Sequence, residues 1–314
     1  MSAESTQTSQ FIERFGDYGL IRKIGQGGMA EVFLAQRLDA PSGSSPLVIK
    51  RLHRELETDR NAVDLFLTEA DVTLLLSHPN LIRVYDSGEA AGRYYMAMEY
   101  VHGKDLEAIW RRFRAKSRHM DPSAAVHIMT AVLRGLDYAH NAKTPSGREL
   151  GLVHRDVTPS NIFVTSRGDV KLGDFGVAKL VGVESWTMAG SIKGKLGYLS
   201  PEQIAGESPS QSIDLWAAAV ILFELLTGER LFGGENELDI MLRIKNAKVP
   251  KLRKMSKAAP KQVEKILKRA LHKKERKRFQ TAADLASALE AYQKKNGREY
   301  TPQTLVGYLT ETLA

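Results

Sequence analysis

The stretch GLVHRDVTPSNIF, residues 151–163, runs from apolar residues into His154, Arg155 and Asp156 and reaches Asn161 five residues after the aspartate. A carboxylate and a carboxamide so spaced on one loop can act as a proton acceptor and as an oxygen ligand for a hard cation. A second stretch, KLGDFGVAK at 171–179, adds Asp174, 18 residues beyond Asp156. Magnesium prefers oxygen ligands and keeps several waters, so Asn161, Asp174 and phosphate oxygens suffice to hold it. Asp156 can then take the proton of an attacking hydroxyl.

Upstream, GQGGMAEV (25–32) lies between two predicted strands, not between a strand and a helix, which disfavours a Rossmann dinucleotide site. Across Gly25, Gln26, Gly27, Gly28 and Met29 the glycines let backbone amides approach a phosphate with no Cβ in the way. Val32 follows at a spacing suited to covering an adenine; the alternative reading of the stretch is a plain hairpin turn. Lys50 ends the strand-like LVIK, and Glu69 comes 19 residues later on a predicted helix. A lysine that grips phosphates needs a fixed counter-charge, which a helix-borne carboxylate supplies; the plainer alternative is a surface ion pair.

The surrounding pattern predicts two lobes sharing a cleft. From Tyr18 to Tyr100, short β-branched or alternating runs predict strands, interrupted by one helix over about 60–77 on the spacing of Val63, Phe66, Leu67, Ala70, Leu74 and Leu75. From His102 helices dominate, with short strands around 162–172. The expected divisions are a flexible tail over 1–16, an N-lobe with hinge over 17–101, a C-lobe over 102–292 and a helical extension over 293–314. In the extension, Leu305, Tyr308, Leu309 and Leu313 form an apolar stripe able to dock on the domain or on a partner.

Composition narrows the class. With 43% hydrophobic residues the 314-residue chain can build a sizeable core, and with no cysteine it has no disulfide, thiol nucleophile or thiolate metal site. The polar opening MSAESTQTSQ lacks the apolar core of a signal peptide. LWAAAVILFELL (215–226) is interrupted by Glu224 and falls short of the roughly 20 residues of a membrane span, so it reads as a buried helix. A soluble, cytoplasmic protein is the expectation. The net charge of +8 is concentrated in residues 241–280, where 16 Lys or Arg face two acids, Glu264 and Glu275. The plain reading of such a run is a solvated helical face; the alternative is a face that attracts an acidic protein or an anionic membrane surface, while nucleic acid is disfavoured by the lack of aromatic interleaving.

GQGGMAEVFLA, HPNLIRVYD, HRDVTPSN, DFG, SPEQ and SIDLW occur in an order that resembles the eukaryotic-like (Hanks-type) protein kinases, from about Tyr18 to Tyr292. The wording GGMA and GYLSPEQ is most similar to bacterial Ser/Thr members. The resemblance implies an α+β, two-lobed protein kinase fold, with a small β-rich N-lobe carrying one helix and a larger α-helical C-lobe. It implies ATP with magnesium, or manganese in its place, γ-phosphoryl transfer to Ser or Thr of protein substrates, and autophosphorylation. Pro159 after the threonine matches the Ser/Thr form of the loop more than the Tyr form. By position it makes Lys50 and Glu69 the activating pair, Asp156 the base, and Asn161 and Asp174 the metal ligands. Val32 and Val48 would roof the adenine and Phe163 floor it. Met98, Glu99 and Val101 would line its edge at the hinge (EYV, 99–101), and Asp105 would meet the ribose. Glu202 and Arg278 would brace the C-lobe, and Asp214 would open its central helix. A pseudokinase scaffold that binds nucleotide and recruits partners is the alternative from another class.

Three features depart from or extend that pattern. Ala30 replaces the third glycine of the loop, adding one methyl group. Thr158 stands where a lysine is expected, and Lys195, in GKLGYLSPE, stands where a threonine is expected, as though the two were exchanged. On that reading Lys195 brings its ammonium into the space Thr158 leaves; the alternative is that Lys195 is a solvated loop residue and Thr158 a cap. Arg155 and Lys179 suggest a basic pocket for a phosphate on Ser185, Thr187 or Ser191.

Overall fold

The computed structural model describes residues 11–41, 43–176, 195–296 and 299–313. They fall into two compact units, one of residues 11–77 and 82–101, the other of residues 78–81, 102–176 and 195–313. This is the two-lobed α+β fold, with a sheet-built first unit and a mainly helical second.

The first unit holds a six-stranded antiparallel sheet in the order β1-β2-β3-β4-β6-β5: β1 Glu13–Phe15, β2 Tyr18–Gln26, β3 Ala30–Arg37, β4 Leu47–Leu52, β5 Val84–Ala90 and β6 Arg93–Glu99. Alternation along the strands sorts two clusters. Leu47 and Ile49 join Phe15, Tyr18, Leu20 and Phe33 in one, while Leu52 joins Phe66, Ala70, Val84 and Met96 in the other. The helix supplying Phe66 and Ala70 is α1, Arg60–Leu74, capped by Asp59, which accepts from the amides of Asn61 and Ala62.

Two boundaries differ from the sequence reading. Residues 13–15, expected in a flexible tail, form β1 because Phe15 is fully buried and Ile12 N–H donates to Leu20 O. The helix expected to reach residue 77 ends at Leu74, where Leu75 caps it; Leu74 and Leu75 are exposed and the buried leucine is Leu76.

The second unit is organised around the helix Ser212–Thr227. Its side chains are buried all round, as expected for a helix surrounded by its own protein, and Gly228 ends it at φ 70°. The labelled helices here are α2 Leu106–Ala115, α3 Pro122–His140, α4 Ser212–Thr227, α5 Glu237–Asn246, α6 Lys261–Ala270, α7 Ala282–Asn296 and α8 Pro302–Leu313. A small antiparallel sheet, β7 Gly103–Asp105, β8 Ile162–Thr165 and β9 Val170–Leu172, carries the central loop. Asn80 fastens its last strand, donating from Nδ2 to Val170 O and accepting Leu172 N–H at its carbonyl. Among the described residues no helix is long and apolar enough to cross a membrane.

Helix α8 packs within this unit. Leu305 is fully buried, Tyr308 stacks on Phe113, and the Tyr308 hydroxyl accepts Asp121 N–H at 2.7 Å. Gly168, in the β8–β9 turn, has φ 91°, and a Cβ there would lie 1.9 Å from Pro302 O. Gly168→Ala therefore combines a disfavoured backbone with a clash against α8. Urea unfolding should register a loss of about 1–3 kcal/mol, with faster amide exchange in 302–313. An unchanged midpoint would contradict this packing.

Candidate active site

In the first unit the site begins with strand alternation. Val48, Lys50 and Leu52 share one face of β4, toward α1. The helix turns Glu69 into its buried stripe with Ala62, Phe66 and Thr73. Lys50 Nζ donates to Glu69 Oε1 at 2.6 Å, with 16% and 9% of the two side chains exposed. Glu69 is tolerated in the apolar stripe because it is paired. Cross-strand register puts Val32 opposite Lys50 and Met98 opposite Val48, so these apolar side chains flank the lysine on its own face.

The β2–β3 hairpin is closed by Gly27 N–H to Ala30 O, and His53 holds its tip, donating N–H to Met29 O and contacting Gly27 O through Nε2. A Cβ on Gly28 would meet nothing within 4 Å, whereas one on Gly25 would touch Val32 at 3.6 Å. The tip thus leaves open space beside its backbone. Gln26 ends β2 and Met29 packs partly against the α1-side cluster. Glu99 exchanges bonds with Arg83, accepting its N–H at Oε2 and donating its own N–H to Arg83 O; Val101 is half-buried.

In the second unit the loop 154–161 hangs from one carboxylate. Asp214, 1% exposed, accepts His154 N–H at Oδ2 (2.8 Å) and Arg155 N–H at Oδ1 (2.9 Å), and His140 Nε2 lies 2.8 Å from Oδ2. This pins Arg155 at φ 66°, a conformation costly for a residue with a Cβ. The His154 ring is fully buried, and burial pulls it below its ordinary range. Its contacts fit a neutral ring: Nδ1 accepts Asp156 N–H, and Nε2 faces Gly173 O at 3.2 Å. The ring packs on Phe175, 4.4 Å between centroids, and His154 O accepts Gly176 N–H. Asp174 stands between these anchors, exposed, at φ 55°.

Asn161 Nδ2 donates to Asp156 O at 2.9 Å and to Asp156 Oδ2 at 3.1 Å, while Asn161 O accepts Gly173 N–H. With both amide hydrogens committed to Asp156, the carboxamide oxygen is the end left to face a cation. Lys195 Nζ donates to the same Asp156 Oδ2 at 2.9 Å. Thr158 is buried, and its hydroxyl pairs with Ser160. Asp105 caps α2, accepting Ala108 N–H at Oδ1, and pairs in register with Phe163. Arg155 is half-buried, and burial lowers its guanidinium below the usual range against the opposing pull of Asp214. Lys179, Ser185, Thr187 and Ser191 lie outside the described residues.

Two clusters complete the surroundings. Arg278, fully buried, pairs with both oxygens of Glu202 at 2.6 and 2.8 Å and lies 4.6 Å over Trp216. The second went unread in sequence: Glu224 on α4 accepts from the Tyr198 hydroxyl, Arg230 and Leu231 N–H, and Arg230 also grips Glu107 with two bonds. Its one signal was the glutamate inside an apolar run.

The family model described as protein kinase domain matches residues 18–290. The chain is 35% identical over 281 residues to "Tyrosine-protein kinase MasK" of Myxococcus xanthus, covering 90% of this chain and 44% of that protein. It is 33% identical over 292 residues to "Serine/threonine-protein kinase PrkC" of Bacillus subtilis, covering 92% and 43%. A solved Mycobacterium tuberculosis PknI kinase domain is similar at a TM-score of 0.66 and 27% identity, over 89% of this chain and 97% of that one. The chain spans less than half the length of these two curated relatives.

The strain at residue 155 has a direct signature. A glycine occupies positive φ without the Cβ penalty, so Arg155→Gly should unfold at higher urea than Arg155→Ala, by about 1 kcal/mol. Equal stability, or the reverse order, would show that the loop carries no strain there.

Proposed function

The chain belongs to the protein kinase domain family, and from that premise we propose that it transfers the γ-phosphoryl group of ATP, with magnesium, to serine or threonine hydroxyls of proteins, its own chain included. The observation that carries the reading is the set around Asp156: a carboxylate tied by Asn161 Nδ2, with the Asn161 side-chain oxygen left over, and the Asp174 carboxylate following in the segment anchored on His154. Among the described residues no three His, Cys, Asp or Glu gather into a metal cage. That donor set fits magnesium, which takes few protein ligands and draws the rest from phosphates and water. When bound, the ion neutralises charge on the nucleotide phosphates. In the first unit we assign Lys50 to the phosphates, with Glu69 fixing its ammonium, and Val32, Val48, Met98 and the 99–101 backbone to the base; in the second we assign Asp156 to the hydroxyl proton and Phe163 and Asp105 to the nucleoside.

Serine and threonine are favoured over tyrosine by Thr158-Pro159 and by the naming of PrkC, although MasK is named a tyrosine kinase. Incubation of the purified chain with labelled ATP and magnesium should label a generic protein substrate and the chain itself, on serine and threonine. Asp156→Asn and Asp174→Asn should each lower transfer by about 10³-fold, with nucleotide binding retained in Asp156→Asn. Phosphotyrosine as the main product would overturn the specificity. Nucleotide binding with no transfer by the unsubstituted chain would instead favour the scaffold reading.

The basic segment is read as a docking face for an acidic protein substrate. Its two acids are otherwise engaged: Glu264 accepts Arg253 N–H and Glu275 accepts the Ser210 hydroxyl. Lys261, Lys265 and Lys268 lie exposed along one stripe of α6, and Leu238 and Leu242 on α5 are 67% and 50% exposed. Charge complementarity favours a carboxylate-rich partner. Replacing the three lysines by glutamate should raise KM for a substrate carrying an acidic tail by about tenfold or more and leave that for a neutral peptide unchanged. An equal effect on both substrates would reject the docking face.

A further inference from the structure

We propose that Lys195 is a catalytic residue, the cation that neutralises the transferring phosphoryl group in place of the residue at 158. The inference rests on the phosphotransfer reading and deepens it. Thr158 cannot supply charge: it is neutral, 3% exposed, and spends its hydroxyl on Ser160. Lys195 reaches the same loop from 39 residues downstream, its Nζ 2.9 Å from the oxygen of Asp156 that Asn161 also contacts.

Lys195 is fixed from below. It immediately precedes the turn Leu196–Tyr198, whose Leu196 and Tyr198 are 2% and 5% exposed, and a Cβ on Gly197 would already stand 3.1 Å from Phe232 O. The lysine side chain itself is 41% exposed while the Asp156 side chain is 11% exposed. An ion pair with one partner so open contributes little to folding, so the placement of this ammonium is better explained by what it does at Asp156. In a preorganised site, a fixed cation acts where charge develops.

The step balances as follows. The acceptor oxygen bonds to the γ-phosphorus as the bond from that phosphorus to the β,γ-bridging oxygen breaks. The bridging oxygen leaves with the electron pair as part of ADP, and the acceptor proton passes to Asp156. Lys195 keeps its proton throughout, and its charge offsets the negative charge on the phosphoryl oxygens.

Steady-state kinetics on the whole chain test this. Lys195→Met should lower kcat by about 10²–10³-fold, with KM for ATP and the urea midpoint near those of the unsubstituted protein. Lys195→Arg should retain more activity than Lys195→Met, since it keeps the charge. Thr158→Lys/Lys195→Thr should recover about tenfold or more over Lys195→Thr, a coupling that a merely structural role would not produce. Because residue 158 is buried, the Met and Arg variants decide the matter if the double variant does not fold. Full kcat in Lys195→Met, or equal kcat in the Arg and Met variants, would overturn the assignment even while Asp156→Asn is inactive. Absence of transfer by the unsubstituted chain would instead overturn the kinase reading on which it rests.

Discussion

A single buried carboxylate, that of Asp214, sets the geometry on which the second unit's chemistry depends. Its two oxygens take the amides of His154 and Arg155 and face Nε2 of His140. A carboxylate in so dry a place is costly unless its lone pairs are filled, and here backbone donors fill them. In return, the backbone at 155 is held in a left-handed conformation that a free loop would leave. That turn leaves Asp156 to Asn161 and Lys195 and sends the His154 ring inward against Phe175, beside which the segment bearing Asp174 is anchored. Asp156, Asn161 and the segment bearing Asp174, to which we assign proton acceptance and cation binding, are thus tied to a helix buried all round, the rigid support such a site requires.

The two units divide the charges. The first offers an ammonium, Lys50, held on a strand by a helix-borne glutamate and flanked by apolar side chains on the same face. The second gathers carboxylates and one carboxamide, with a lysine of its own on Asp156. Lys50 and Glu69 in the first unit and Asp156 in the second are largely buried and sit on a regular element or next to one, where few rotamers remain open to them, whereas Asp174 and Lys195 are more open. Preorganisation of this kind lowers the reorganisation needed when charge moves.

Much of this was legible in the sequence because the signals are local. The five-residue spacing of Asp156 and Asn161, the alternation in LVIK and the apolar run after Asp214, broken only by Glu224, each determine their own surroundings. What could not be read depends on contacts between distant residues. Asp214 meets the loop across about 60 positions, and Glu224 finds Glu107's arginine only through the turn that follows its helix. The Lys195 contact lies between: the exchange of residue types hinted at it, but only the folded chain brings the ammonium to one oxygen of Asp156. One helix end and the start of the first strand depart from the sequence pattern, because exposed leucines continue a periodicity that packing does not use and one buried phenylalanine draws the chain into the sheet.

The claim most exposed to test is that Asp214 serves turnover by holding the loop. Asparagine at 214 keeps the shape and replaces one accepting oxygen with an amide that opposes a backbone N–H. Phosphoryl transfer by Asp214→Asn, measured under single-turnover conditions beside nucleotide affinity, should fall by about 10²-fold while affinity stays near that of the unsubstituted chain, as expected when a reacting group is misplaced by about an ångström. Transfer at the unsubstituted rate in a folded Asp214→Asn protein would contradict the account.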